Sequence, residues 1–377
     1  MTGGAGERGP FGKCGDWAEL LRVSALFTVP GDALAGAAAA RRGPNRGTAL
    51  AVCASLCLYE AGMALNDWAD RDIDAVERPG RPLPSGRIAP AAALTAATGL
   101  TAAGLLCAAA AGRQALATAT ALAGTVWAYD LGLKNTPAGP PTMAAARALD
   151  LLLGATASAG HIRPALRPAL RPALRPAALL GAHTLAVTTV SRREATGGSS
   201  TAPLGALAVG TAIAWATTRR PAPASGRGPE AGHRAPLAAA NGATTPSHRG
   251  TSAGDPAGRT RPVGRIAAVA GVGLVGGRAG GTLPRSVPSR GAAVGRFAAV
   301  AGVALAGGYV ATVARPLAHA ALNPSPYLLQ RAVGSGIRAM IPLQAVLASR
   351  AGAHRTAAGL LALMPVARRL SRKVSAT

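Results

Sequence analysis

The sequence predicts an all-α membrane protein: a polytopic bundle of eight or nine transmembrane helices. Three observations predict it. Half of the 377 residues are hydrophobic (49%), but only 3% are aromatic. A large soluble core normally draws on Phe, Tyr and Trp, because each buries a large area. The apolar residues, mostly Ala, Leu, Val and Gly, come in blocks, and a bilayer core needs about 20 of them per helix. Finally, the net charge of +25 sits mainly outside those blocks.

Candidate spans lie near 20–40, 47–65, 89–111, 114–133, 142–160, 177–191, 201–218, 295–314, 329–349 and 354–367. Several are weak, which is why eight or nine are expected. Small side chains suit this environment, since helices inside a bilayer associate by close contact rather than by expelling water. Residues 1–16 read as a polar tail without the pattern of a cleaved signal peptide. Residues 17–218 hold the first seven helices, 294–370 the C-terminal ones, and 371–377 a second tail.

Two basic tracts interrupt the blocks and together carry thirteen units of the net charge. In 161–176, Arg163-Pro-Ala-Leu166 recurs every four residues. Its prolines remove backbone donors, so an extended connector is expected. Residues 219–293 form a Pro/Gly/Ala-rich, low-complexity insertion. It contains a near-copy, at 263–277, of the segment 294–308, and only the second copy continues into a full span. Basic residues here accompany neither a recognition helix nor stacking aromatics, which argues against a nucleic-acid partner and leaves membrane lipids as surroundings. Cys14, Cys53, Cys57 and Cys107 form no CxxC pair and read as small packing residues.

Five of the fifteen acids fall between 67 and 77. Asp67, Asp70 and Asp74 are spaced i, i+3, i+7, which puts them on one face where an apolar helix ends. Like charges stacked at a helix C-terminus are unfavourable unless cations hold them. Hard carboxylate oxygens suit Mg²⁺, which completes its shell with water and substrate phosphates. Arg78, Arg81 and Arg87 follow, able to fork onto phosphate oxygens, and Pro82, Pro84 and Gly86 turn the chain back. An EF-hand is excluded, because Ala75 and Arg81 stand where the loop needs Gly and Glu.

The run Asn66-Asp67-x-x-Asp70-x-x-x-Asp74, with Arg78 and Arg81-Pro-Leu-Pro-Ser-Gly86, resembles the first Asp-rich motif of the UbiA superfamily of intramembrane prenyltransferases. Tyr129-Asp-Leu-Gly-Leu-Lys134 and Arg147-Ala-Leu-Asp-Leu-Leu-Leu-Gly154 are similar to two further stretches of that family. The resemblance implies nine helices around a central cavity. It also implies Mg²⁺-dependent transfer of an isoprenoid chain from a prenyl diphosphate to an acceptor that the sequence does not identify.

In that reading Asp67, Asp70, Asp74 and Glu194 hold metal, and Asn66, Arg78, Arg81, Lys134, Arg147 and Arg192 bind diphosphate. Tyr129 faces the allylic cation, and Asp130 or Glu194 takes the released proton. Arg147 and Asp150, spaced i, i+3, equally suit a structural ion pair. The second Asp-rich motif of the family is degenerate, with Glu194 the one acid between His183 and Gly198 and with Arg192 and Arg193 beside it. Two other readings therefore remain: a prenyl-lipid-binding or assembly protein without turnover, and a terpene cyclase. The expected location is the bacterial plasma membrane, with the motif loops in the cytoplasm.

Overall fold

A computed structural model describes residues 12–22, 26, 28–160, 166–194, 197–219 and 290–374. The insertion 219–293, apart from its edges, and the first copy of the long repeat lie outside the described residues. The described chain is helical, with no strand among the described residues. In order, α1 is Cys14–Leu20, α2 Val29–Ala39, α3 Arg46–Ala69, α4 Arg71–Glu77, α5 Pro90–Ala111 and α6 Arg113–Ala128, which runs into a π turn at Tyr129–Leu133. Then come α7 Gly139–Ala159, α8 Leu166–Ser191, α9 Thr201–Thr218, α10 Arg290–Leu322, α11 Pro326–Arg350 and α12 His354–Val374. Among the described residues four helices, α3, α5, α11 and the Val300–Leu322 part of α10, are long and apolar enough to cross a membrane by length and composition.

Successive long helices pack against one another from α5 to α12, apart from the break at the insertion, and α3 packs on α5 and α7. The short α2 sits among them, touching α3, α7, α8, α11 and α12, with nearly every residue buried. Glycine makes this possible. A side chain on Gly36 would strike the carbonyl of Leu151 in α7, and one on Gly154 would strike the backbone of Ala33 in α2. Gly31 is pressed in the same way against Gln344 of α11. At the start of α3, Asn45 caps the helix by accepting from the Thr48 amide at 3.1 Å and donates to the Ser158 carbonyl of α7 at 3.1 Å. Lipid offers no water to a hydroxyl, so Thr95, Thr98 and Thr101 of α5 and Thr118, Thr120 and Thr125 of α6 donate to carbonyls four residues back.

Two expectations are corrected here. The Arg-Pro-Ala-Leu tract is not an extended connector from Leu166 onward: it is the first part of α8, with Pro172 and Pro176 inside the helix. Neighbouring helices make up for the missing donors, as they do for prolines in membrane helices generally: Ala173, Ala177 and Leu180 are buried in the core, and Arg175 donates to the Ala216 carbonyl of α9 at 2.9 Å. The first span, read as one helix over 20–40, is two helices, α1 and α2. The first begins inside the stretch read as a tail, and the second starts afresh with Pro30 in its opening turn.

Gly154→Leu is expected to destabilise the fold by about 3 kcal/mol or more, because neither backbone can yield. Gly99→Leu, where nothing lies within 4 Å, should be neutral. Thermal unfolding of the purified proteins followed by size-exclusion fluorescence distinguishes the two.

Candidate active site

The helix carrying the acidic motif breaks at Asp70, which ends α3 and begins α4. Asp67 and Asp74 are buried, and a buried carboxylate is costly unless it is paired. Asp67 accepts from Arg22 at 3.1 Å and lies 3.6 Å from Arg81. Asp74 accepts from the same Arg81 nitrogen at 2.5 Å and lies 3.7 Å from Arg78. Asp70 pairs with Lys134 at 2.5 Å. Asn66 donates to Asp67 at 3.4 Å. The chain then turns back through Gly86, whose φ of 70° favours glycine.

Lys134 reaches Asp70 from the end of the π turn, where its amide donates to the Tyr129 carbonyl at 2.9 Å across five residues. Such turns widen a helix and recur at functional sites. Arg192, beyond α8, donates to the carbonyls of Thr136 and Asn135 and so braces the loop after Lys134.

Beneath these groups lies an elongated cavity of about 540 Å³. Arg22, Asn66, Tyr129 and Asp130 line it near the motif, with Leu58, Leu122, Val126, Met143 and Met340 among its apolar walls. Ser55 and Asn66 both line it from α3, and eleven residues of helix separate them by about 16 Å. At the Ser55 end Ser55 donates to Asp150 at 2.5 Å. Arg147 there donates to Asp32 at 2.7 Å and to Thr28 at 3.3 Å, and stands 3.9 Å from Asp150. Gln344 donates to Asp32 at 2.6 Å.

The sequence-derived assignments divide accordingly. Asn66, Asp67, Asp70, Asp74, Arg78, Arg81 and Lys134 come together. Tyr129 lines the cavity beside Asp130, and Arg192 adjoins the Lys134 loop. Arg147 is not brought to the motif, because it extends from the middle of α7 toward α2. Its contact with Asp150 is long, and its closer partner is Asp32. Arg87 is also taken: it donates to Asp16 and Glu19 of α1, each at 2.7 Å, and to the Gly80 carbonyl.

Among the described residues no three carboxylate, imidazole or thiol groups converge on a metal-binding point, so Glu194 does not join the three aspartates in a shared centre. Burial pushes its carboxyl up, with a Ser191 hydrogen bond opposing. The donor chemistry still fits a hard cation. One nitrogen of Arg81 stands between oxygens of Asp67 and Asp74, where a positive charge bridges two carboxylates.

The profile of the UbiA prenyltransferase family matches residues 28–219, half of the chain. The chain belongs to that family. Digeranylgeranylglyceryl phosphate synthase of Methanopyrus kandleri is 36% identical over 115 residues, 30% of this chain and 41% of that protein. Protoheme IX farnesyltransferase of Acidiphilium cryptum is 44% identical over 78 residues, 20% of this chain and 24% of that protein. The chain thus spans less than half the length of either curated relative in these matches. A solved structure described as giving insights into digeranylgeranylglyceryl phosphate synthase in membranes shares the fold, with a TM-score of 0.51 at 14% identity over 90% of this chain and 98% of that one.

Within this UbiA fold, sequence reasoning missed Arg22 and Asp32. Arg22 adopts a left-handed φ of 49°, unusual for a residue other than glycine, as it turns to Asp67. Asp32, an isolated acid in an apolar block, was the signal for a buried partner. The α1 strap was missed too. The Lys13 amide, then Arg87, hold Asp16 below the ordinary aspartate range, and Glu19, then Asp16, raise Arg87.

A depressed carboxylate stabilises the fold above its unfolded pKa, and that contribution is lost as pH falls through the folded value. Arg87→Ala should therefore lower the melting temperature at neutral pH. The gap from the parent protein should narrow as pH falls below the usual aspartate range, read by melting curves across a pH series.

Proposed function

We propose that this chain transfers an isoprenoid group from a prenyl diphosphate to a lipophilic or aromatic acceptor inside the membrane. The observation that carries it is the cluster of three carboxylates and four cations, Arg22, Arg78, Arg81 and Lys134, at the mouth of an elongated, mainly apolar cavity. Arg78, Arg81 and Lys134 would grip diphosphate oxygens, with Asn66 orienting them and Arg192 bracing the Lys134 loop. Mg²⁺ held by Asp67, Asp70 and Asp74 would neutralise charge on the departing diphosphate. Releasing these cations from their carboxylates frees them for the substrate.

In the reaction the allylic C–O bond breaks and its electron pair leaves with diphosphate. The acceptor then bonds to the allylic carbon and gives up a proton. Tyr129 offers a ring face to the cationic carbon, and Asp130, on the cavity wall, is the better placed proton acceptor than Glu194. The proposed setting is a plasma membrane with the motif loops in the cytoplasm.

The pairing of every motif carboxylate with an Arg or Lys favours one alternative, a UbiA-like protein that binds a prenyl lipid without turnover. Membranes containing the protein, incubated with labelled prenyl diphosphates and Mg²⁺, separate the two readings. Transferase activity predicts diphosphate release that falls at least about 100-fold in Asp67→Ala or Asp70→Ala, the scale of losing a key electrostatic contact. Lys134→Ala should lose less. Tight binding without release, across chain lengths and acceptors, would establish the alternative.

A further inference from the structure

The two ends of the cavity differ in charge. At the motif end Arg22, Arg78, Arg81 and Lys134 face Asp67, Asp70 and Asp74, with Asp130 on the wall. At the inner end the sole guanidinium among the described lining residues, Arg147, lies between Asp32 and Asp150. Both acids are buried, and their carboxyls are hydrogen-bonded to each other. Whether they share a proton or both ionise, no positive charge is left over. His183, also on the wall, adds none: Tyr309 (2.9 Å) and the Gly336 carbonyl (3.0 Å) engage its two nitrogens. The Gly336 carbonyl only accepts, so Nε2 carries a proton, and the Tyr309 hydroxyl donates to Nδ1 of the neutral ring.

We propose that this inner end is the acceptor subsite and that it selects a neutral, hydroxyl-bearing acceptor. The inference rests on the transferase reading. A carboxylate or phosphate brought here would be buried beside two acids with no free cation, and burying an unpaired charge is strongly unfavourable. A hydroxyl, in contrast, donates to a lone pair of Asp150 that Ser55 leaves open. Ser55 aims Asp150, and Gln344 and Thr28 hold Asp32 and Arg147, so the polar groups are fixed before the acceptor enters. Tyr59 lines the cavity between the two ends. An acceptor of one ring or a short polyol would place its nucleophile under the diphosphate and its far side at Asp150.

The test uses the full chain in lipid nanodiscs with labelled geranylgeranyl diphosphate and Mg²⁺. Two acceptors of nearly equal shape, 4-hydroxybenzyl alcohol and 4-hydroxybenzoate, are compared by product formation and by their binding, read as a shift in melting temperature. The alcohol should half-saturate at a concentration at least tenfold below that of the acid. Asp150→Asn should shrink that ratio while leaving half-saturation by the donor unchanged. If it does not elute as a folded protein, Ser55→Ala, which removes the hydrogen bond aiming Asp150, is read in the same way. A benzoate bound as well as the alcohol, or no binding of the alcohol, overturns the proposal. Acceptor-free diphosphate release is measured alongside, and its absence strikes the transferase reading instead.

Discussion

Everything at the centre of this bundle depends on how closely α2 and α7 approach. In a bilayer no water is expelled when two helices meet, so contact itself must hold them together. Gly36 and Gly154 let each backbone rest on the other. That contact brings Asp32 within 2.7 Å of Arg147, and Gln344 of α11 joins through Asp32. A short helix of small residues thereby sets the polar floor of a cavity whose remaining walls are long apolar helices.

The same economy governs the opposite end. Carboxylates beside hydrocarbon require partners, and the chain supplies them from four separate places: Arg22 after α1, Arg78 and Arg81 after α4, and Lys134 after the π turn. The cluster therefore ties together segments that share little other packing. Arg87 extends the tie to α1 through Asp16 and Glu19.

The fold class and the motif end were readable in the sequence, because each is written in local spacing. Apolar blocks of bilayer length announce helices, and Asp67, Asp70 and Asp74 announce one another. What escaped was set by tertiary contact. Nothing near Arg147 in the chain indicates that Asp32, 115 residues earlier, is its nearest partner. The prolines of 166–176 read as helix breakers, since the packing of α8 against α7 and α9 that makes up for their missing donors is not local. The expectation that Glu194 would join the aspartates rested on a family pattern already degraded here, and the described side chains do not bring it to them.

The π turn at Tyr129–Leu133 has a consequence for how this site tolerates change. A π turn amounts to one extra residue accommodated within a helix. Removing a residue there would restore ordinary α geometry and swing everything beyond it by about 100° around the axis. Lys134 would then leave Asp70, although no residue of the site had been substituted. The reading frame of the site is thus kept by a single surplus residue, and length in this short stretch is as tightly constrained as chemistry.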